Sequence, residues 1–150
     1  MIAVGKLLVV CTGNLCRSPL GAALLRGGGF AADSAGLRAA EGRPADPATL
    51  RVAARHGVSL DGHMARAFAP ALAGGCDLIL TMEPAHRFDI LRDCPHLSGR
   101  VMAFDHWTGG RGIADPFRRP AAAHEAAFQS IARNADEWLR RIAPAEAAGC

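Results

Sequence analysis

The sequence has 150 residues and a mass of 15.7 kDa, the size of one domain able to bury its own core. Half of the residues are hydrophobic and 21% are charged, which excludes a disordered chain and fits a soluble globular protein. The net charge of +3 suits an acidic substrate, but no dense Lys/Arg block or set of stacking aromatics offers a nucleic-acid surface, and Tyr is absent.

In chain order, Lys6 to Val10 is a nearly continuous apolar stretch, as expected of a parallel strand covered on both faces. Its apolar part is too short for a signal-peptide core or a membrane span, so a cytoplasmic protein without membrane insertion is expected. Ser18-Pro19 looks like an N-cap followed by proline at the first helical position, and Gly27-Gly28-Gly29 ends that helix. Phe30 to Ala35 is a second strand candidate. Asp46-Pro47 repeats the helix-start signal, with Gly57 as the stop.

Leu78 to Met82 is another apolar strand, Pro84 opens a helix ending before Pro95, and Val101 to Phe104 is a fourth strand. Phe128, Ile131, Ala132, Ala135, Trp138, Leu139 and Ile142 recur at helical spacing and give the last helix one apolar face. Strands alternating with helices predict a single α/β domain over residues 1–150, with a parallel sheet, right-handed crossovers and a loose tail over 144–150. No repeat, low-complexity segment or linker interrupts it.

Ligands of open α/β sheets bind beyond the carboxyl ends of the strands. The residues there are Cys11-Thr12-Gly13-Asn14-Leu15-Cys16-Arg17-Ser18-Pro19. A thiol leaves the strand, five residues loop round, and Arg17 arrives as a helix begins. Successive N–H groups of a tight loop make an anion nest, and the helix N-terminus adds its dipole. A guanidinium grips two phosphate oxygens at once, and a thiolate beneath the phosphorus is an in-line nucleophile. The simpler alternative is a buried cysteine beside an ordinary helix cap.

The run CTGNLCRSP resembles the signature of the low-molecular-weight protein tyrosine phosphatases: Cys, five residues, Arg, Ser, Pro. The resemblance continues through Ser34-Ala35-Gly36, Gly62-His63 with Ala65-Arg66, Asp77 to Met82, and Asp115-Pro116. Around Gly62-His63 and Phe104 to Trp107 it is most similar to the bacterial branch linked to capsule and exopolysaccharide production.

The resemblance implies a four-stranded parallel sheet with helices on both faces, and hydrolysis of phosphotyrosine through a cysteinyl-phosphate. It implies Cys11 as nucleophile and Arg17 as the group that binds phosphate and stabilises the transition state. Thr12, Gly13, Asn14, Leu15, Cys16 and Ser18 would complete the phosphate loop. Ser18 would hydrogen-bond the Cys11 thiolate, and Asn14 would brace the loop through Ser34 and His63. On spacing alone Asp115 before Pro116 reads as turn chemistry; the resemblance makes it the general acid.

Leu15, a branched apolar residue, would favour an aryl phosphate over phosphoarginine, and Phe117 would form one aromatic wall. Leu37 to Ala40 lacks the aromatic that animal relatives place opposite. Cys16 would protect Cys11 as a disulfide under peroxide, or simply fill space as a small apolar residue.

Neither a cofactor nor a metal is implied, and a monomer is expected. The five cysteines, Cys11, Cys16, Cys76, Cys94 and Cys150, form an odd count without a secretory signal and read as reduced thiols. The expected partner is a phosphotyrosyl protein, the tail of a bacterial tyrosine autokinase of exopolysaccharide export. Arg111, Arg118 and Arg119 would form a basic rim for it. Two rival readings are a thiol-coupled arsenate reductase, which would need two further relay cysteines, and a non-catalytic phosphate-binding module.

Overall fold

The apolar run beginning at Lys6 forms the central strand of the sheet in the computed structural model, which describes residues 1–145. In chain order the strands of the main sheet are β2 (Lys6–Cys11), β3 (Ala31–Gly36), β4 (Leu78–Thr81) and β5 (Val101–Ala103), after a short β1 (Ile2–Val4). Their spatial order is β3-β2-β4-β5 and every pairing is parallel.

Residues of a strand alternate between faces. Leu7 and Val9 of β2 therefore enter one core, while Leu8 and Val10 enter the other. The first core takes α1 (Arg17–Gly27), α2 (Pro47–Arg55) and α5 (Ala121–Leu139), through Leu20, Leu25, Val52, Ile131 and Trp138. The second takes α3 (Pro70–Gly74) and α4 (Pro84–Asp93), through Ala73 and Ile90. This is the expected parallel α/β sheet covered on both faces. Among the described residues, no helix is long and apolar enough to cross a membrane.

The strand order positions the site. The chain passes from β2 to β3 on one side and later reaches β4 on the other side of β2. That reversal opens a crevice at the carboxyl end of β2, where such sheets bind ligands. Cys11 is the last residue of β2.

Three local expectations are corrected. Ser18 does not cap α1: the helix starts at Arg17 and Cys16 occupies the cap without a side-chain hydrogen bond. The Ser18 hydroxyl is engaged elsewhere, and Pro19 fits because first-turn N–H groups have no intrahelical acceptor. Ile142 is not part of the last helix, which ends at Leu139. Nor does a loose tail begin at Pro144: Ile142–Pro144 forms β6, parallel to β1, with Ile2 opposite Ile142 and Val4 opposite Pro144. Proline is tolerated on such an edge, and the backbone N–H of Ala145 donates to Val4 O at 3.0 Å. The remaining residues of the expected tail, including Cys150, lie outside the described residues. The Asp46 signal, by contrast, reads correctly, since its carboxylate accepts from the backbone N–H of Ala48 at 3.0 Å.

Candidate active site

The loop from Cys11 to Arg17 is shaped by what its carbonyls do. The segment after β3 runs alongside and donates to them: Leu37 N–H to Cys11 O at 3.0 Å, Arg38 to Thr12 at 2.9 Å and Ala40 to Gly13 at 3.2 Å. Asp46 N–H donates to Leu15 O at 3.0 Å, and His63 Nε2 bonds Asn14 O at 2.7 Å. With successive carbonyls drawn outward, the N–H groups of Gly13, Leu15 and Cys16 are left without a hydrogen-bond acceptor among the described residues. Such a ring of free N–H groups is an anion nest.

Asn14 is the keystone of that loop. It takes a left-handed backbone, φ 58°, which asparagine tolerates better than most residues. It is fully buried. Its side-chain amide donates to Ser18 Oγ at 2.8 Å and Ser34 Oγ at 2.9 Å, and its Oδ1 accepts from Arg66 N–H at 2.9 Å. Asn14 thus meets both Ser34 and His63. Ser18 Oγ accepts from Asn14 and has one hydrogen to give, with Cys11 Sγ at 2.9 Å the nearer acceptor and Ala35 O at 3.4 Å the farther. Asn14 N–H points at the same sulfur from 3.3 Å.

Arg17 is 1% exposed and held at three points. Its Nη1 donates to Ile113 O at 2.6 Å, and its Nη2 lies 2.8 Å from Glu83 Oε2 and 3.6 Å from Asp115 Oδ2. Asp115 is fixed through Oδ1, which accepts from Phe117 N–H at 3.1 Å. Cys11, Arg17 and Asp115, more than a hundred residues apart at the extremes, line one cavity of about 270 Å³. Thr12, Gly13, Leu15, Cys16 and Phe117 line it too, and Leu15, Cys16 and Phe117 pack in one apolar cluster.

Asn14 and Ser18 lie buried under the loop, while Ser34 and His63 border a different cavity behind it. Of the three arginines expected at the rim, Arg118 alone lines the cavity, with its guanidinium 5.2 Å from the Phe117 ring centre. Arg119 borders a neighbouring cavity. Arg38 and Arg43 take the vacant places in the Cys11 cavity. They belong to the segment that hydrogen-bonds the loop, so the rim is built by tertiary pairing and not by sequence proximity to Asp115.

Two neighbours of the loop escape a sequence reading. Glu83, just past β4, is the nearer acid to Arg17. His86 is buried, and its Nδ1 accepts from Glu83 N–H at 3.1 Å. That leaves the Nε2–H of the neutral ring to donate to Thr12 Oγ1 at 2.9 Å. Burial pushes the His86 pKa down; the neighbouring Glu83 carboxylate opposes this only partly. The available signal was position: an acid following an apolar strand on the carboxyl side of the sheet. Burial also pushes the Cys16 thiol up, to about 12, while the Thr49 hydroxyl pulls it down.

A thiol and a caged guanidinium over an N–H nest, at the switch point of a parallel sheet, define an α/β domain that handles oxyanions through cysteine. The chain belongs to the low molecular weight phosphotyrosine protein phosphatase family, whose model matches residues 6–147. It is 42% identical over 139 residues to the low molecular weight protein-tyrosine-phosphatase Wzb of Salmonella typhimurium strain LT2, covering 91% of this chain and 93% of that protein. The crystal structure of the Erwinia amylovora tyrosine phosphatase AmsI superposes with a TM-score of 0.88 at 39% identity, covering 91% and 92% of the two chains. Vibrio vulnificus Wzb in complex with benzylphosphonate gives 0.89 at 34% identity, covering 93% and 99%.

Proposed function

We propose that this phosphatase hydrolyses phosphotyrosine with Cys11 as nucleophile, Arg17 as phosphate clamp and Asp115 as general acid. The observation that carries the reading is the convergence of these three side chains on one cavity whose floor is the N–H nest. In the first step Cys11 sulfur forms a bond to phosphorus, the ester P–O bond breaks, and Asp115 gives its proton to the leaving phenolic oxygen. In the second step the Asp115 carboxylate takes a proton from water as that water attacks phosphorus. The S–P bond breaks and inorganic phosphate leaves. The nest and Arg17 meet the oxygens throughout, which is where charge gathers in phosphoryl transfer.

Leu15 and Phe117 supply apolar walls suited to an aryl group. Benzylphosphonate, the aryl-containing ligand bound to Vibrio vulnificus Wzb, supports an aryl phosphate here. Cys16 is assigned a protective role. Peroxide oxidises Cys11 to the sulfenic acid, and Cys16 thiol then displaces water to form a disulfide. The substrate is assigned to the phosphorylated tyrosine tail of a membrane-bound autokinase of polysaccharide export, as in the branch the sequence resembles.

Among the described residues, Cys76 and Cys94 do not supply the relay that the arsenate reductase alternative needs. Cys76 precedes the start of β4 and Cys94 follows the end of α4, so both lie in the second core at the far end of the sheet from Cys11.

The test is a profile of phosphotyrosine, phosphoserine and phosphoarginine peptides alongside the phosphorylated kinase. Hydrolysis of phosphotyrosine alone, abolished in Cys11→Ser while vanadate still binds, is expected. A Cys11→Ser enzyme keeping more than a few per cent of activity removes Cys11 from its role. A phosphorylated kinase left untouched removes the autokinase as substrate.

A further inference from the structure

At the last residue of the phosphate loop before α1, three potential metal ligands from distant parts of the sequence meet. Cys16 Sγ, an Asp46 carboxylate oxygen and a His124 ring nitrogen lie within 4.8 Å of one another. They come from the loop, the cap of α2 and the first turns of α5. Cys16 and His124 are buried, and Asp46 is partly exposed, which gives the cluster a route to solvent.

His124 is the unusual member. Its side chain is 2% exposed, and Nδ1 is taken by Thr49 Oγ1 at 3.2 Å. That contact turns Nε2 toward Asp46 Oδ2, which stands 4.0 Å away, beyond hydrogen-bond reach. Among the described residues Nε2 makes no protein hydrogen bond, and it is not sealed from solvent, so it is open to an incoming ligand. One nitrogen is oriented by a hydroxyl, and the other faces the carboxylate of the cluster that also holds the Cys16 thiol. Metal-binding histidines are typically oriented through their second nitrogen in this way.

We propose that Cys16, Asp46 and His124 bind a single divalent transition-metal ion of the zinc class, with water as fourth ligand. The donor set of one sulfur, one imidazole nitrogen and one carboxylate oxygen suits zinc, and it is too soft for magnesium or calcium. Tetrahedral zinc holds such atoms roughly 3.3–3.8 Å apart, so closing the site requires shifts of about 1 Å. On binding, the metal replaces the thiol proton of Cys16, which passes to solvent. The ion joins the phosphate loop to α2 and α5.

It also claims the sulfur that the proposed disulfide needs. Metal and disulfide are therefore exclusive states of Cys16, and oxidation of Cys11 by peroxide draws Cys16 away from the ion. The metal site itself does not depend on the phosphatase reading.

Cobalt(II) serves as the probe, added to Cys11→Ser protein in phosphate-free buffer so that the other thiol of the loop is silent. One ion per chain is expected, with a thiolate-to-cobalt charge-transfer band and the visible bands of a four-coordinate site. His124→Gln should weaken binding at least tenfold, and Cys16→Ser should abolish the charge-transfer band. Circular dichroism of the metal-free variants checks that both are folded. Absence of the band at millimolar cobalt, its survival in Cys16→Ser, or unchanged affinity in His124→Gln overturns the proposal. If Cys16→Ser does not fold, X-ray absorption of zinc-loaded Cys11→Ser protein decides. One sulfur in a nitrogen and oxygen shell supports the site; no sulfur, or more than one, overturns it.

Discussion

Asp115 and Glu83 are two acids that share one arginine, and their distances separate their jobs. Glu83 sits 2.8 Å from the guanidinium and Asp115 3.6 Å from it. On the proposed mechanism the nearer acid would orient Arg17, while the farther one would serve the leaving group. Asp115→Ala should lower kcat on phosphotyrosine by about 10²–10⁴-fold, the usual worth of a positioned acid. The loss should shrink for an aryl phosphate whose leaving group is already acidic; equal losses on both substrates make Asp115 structural. Glu83→Gln weakens a charge-assisted bond that is worth roughly 1.5–3 kcal/mol in general. Glu83 is part-exposed, so the lower end applies and kcat/KM should fall about tenfold. Both kcat and KM should shift if Arg17 meets ground state and transition state alike, as the proposed mechanism requires. A wild-type KM in Glu83→Gln would show that Arg17 holds its place without that acid.

At the scale of elements, β3 and the segment after it hold the loop as firmly as β2 does. Gly36, the last residue of β3, abuts the loop: a Cβ there would lie 2.5 Å from Thr12 O and 3.0 Å from Asn14 N. Both neighbours are backbone, so neither swings aside. Replacing glycine by alanine gains roughly 0.4–1 kcal/mol from the unfolded chain where the fit is good, whereas overpacking costs about 1–3 kcal/mol. Overpacking wins. Gly36→Ala should destabilise the fold slightly and depress phosphate affinity and turnover strongly, as thermal melting and phosphate inhibition would measure. Unchanged inhibition by phosphate would mean that the loop tolerates the push.

The same elements mark how far a sequence reading reaches. The four strands of the main sheet, the proline-led starts of α2 and α4 and the apolar face of α5 are local periodicities and were legible, whereas the paired β1 and β6 were not. The loop's composition was also legible, because Cys11, Arg17 and Ser18 are neighbours in sequence. Of what contacts the loop, Ser34 and His63 came only through the family resemblance. Glu83, Arg38, Arg43 and the approach of His124 to Asp46 arise from tertiary placement, which no local spacing encodes. Ser18 misled because a serine before proline imitates a cap, while its hydroxyl serves Cys11 and Asn14.

Across the whole molecule the net charge is small, yet its placement at the cavity mouth is one-sided. Arg38, Arg43 and Arg118 line the cavity without an ion-pair partner among the described residues, and Asp115 is the single acid in its lining. Such a field raises capture of polyanionic substrates and fades with salt. Reversing Arg38 and Arg118 to Glu should therefore raise KM for a multiply phosphorylated tyrosine tail far more than for a small aryl phosphate. The gap should narrow at high salt. Equal damage to both substrates would place the two arginines in the chemistry instead. The outward-drawn carbonyls of the loop carry a further consequence. A nest of backbone N–H groups recognises the oxyanion and not the group esterified to it, so on the proposed mechanism released inorganic phosphate should meet the same contacts as the ester. The enzyme would then carry its own brake, its pace tied to the phosphate concentration around it.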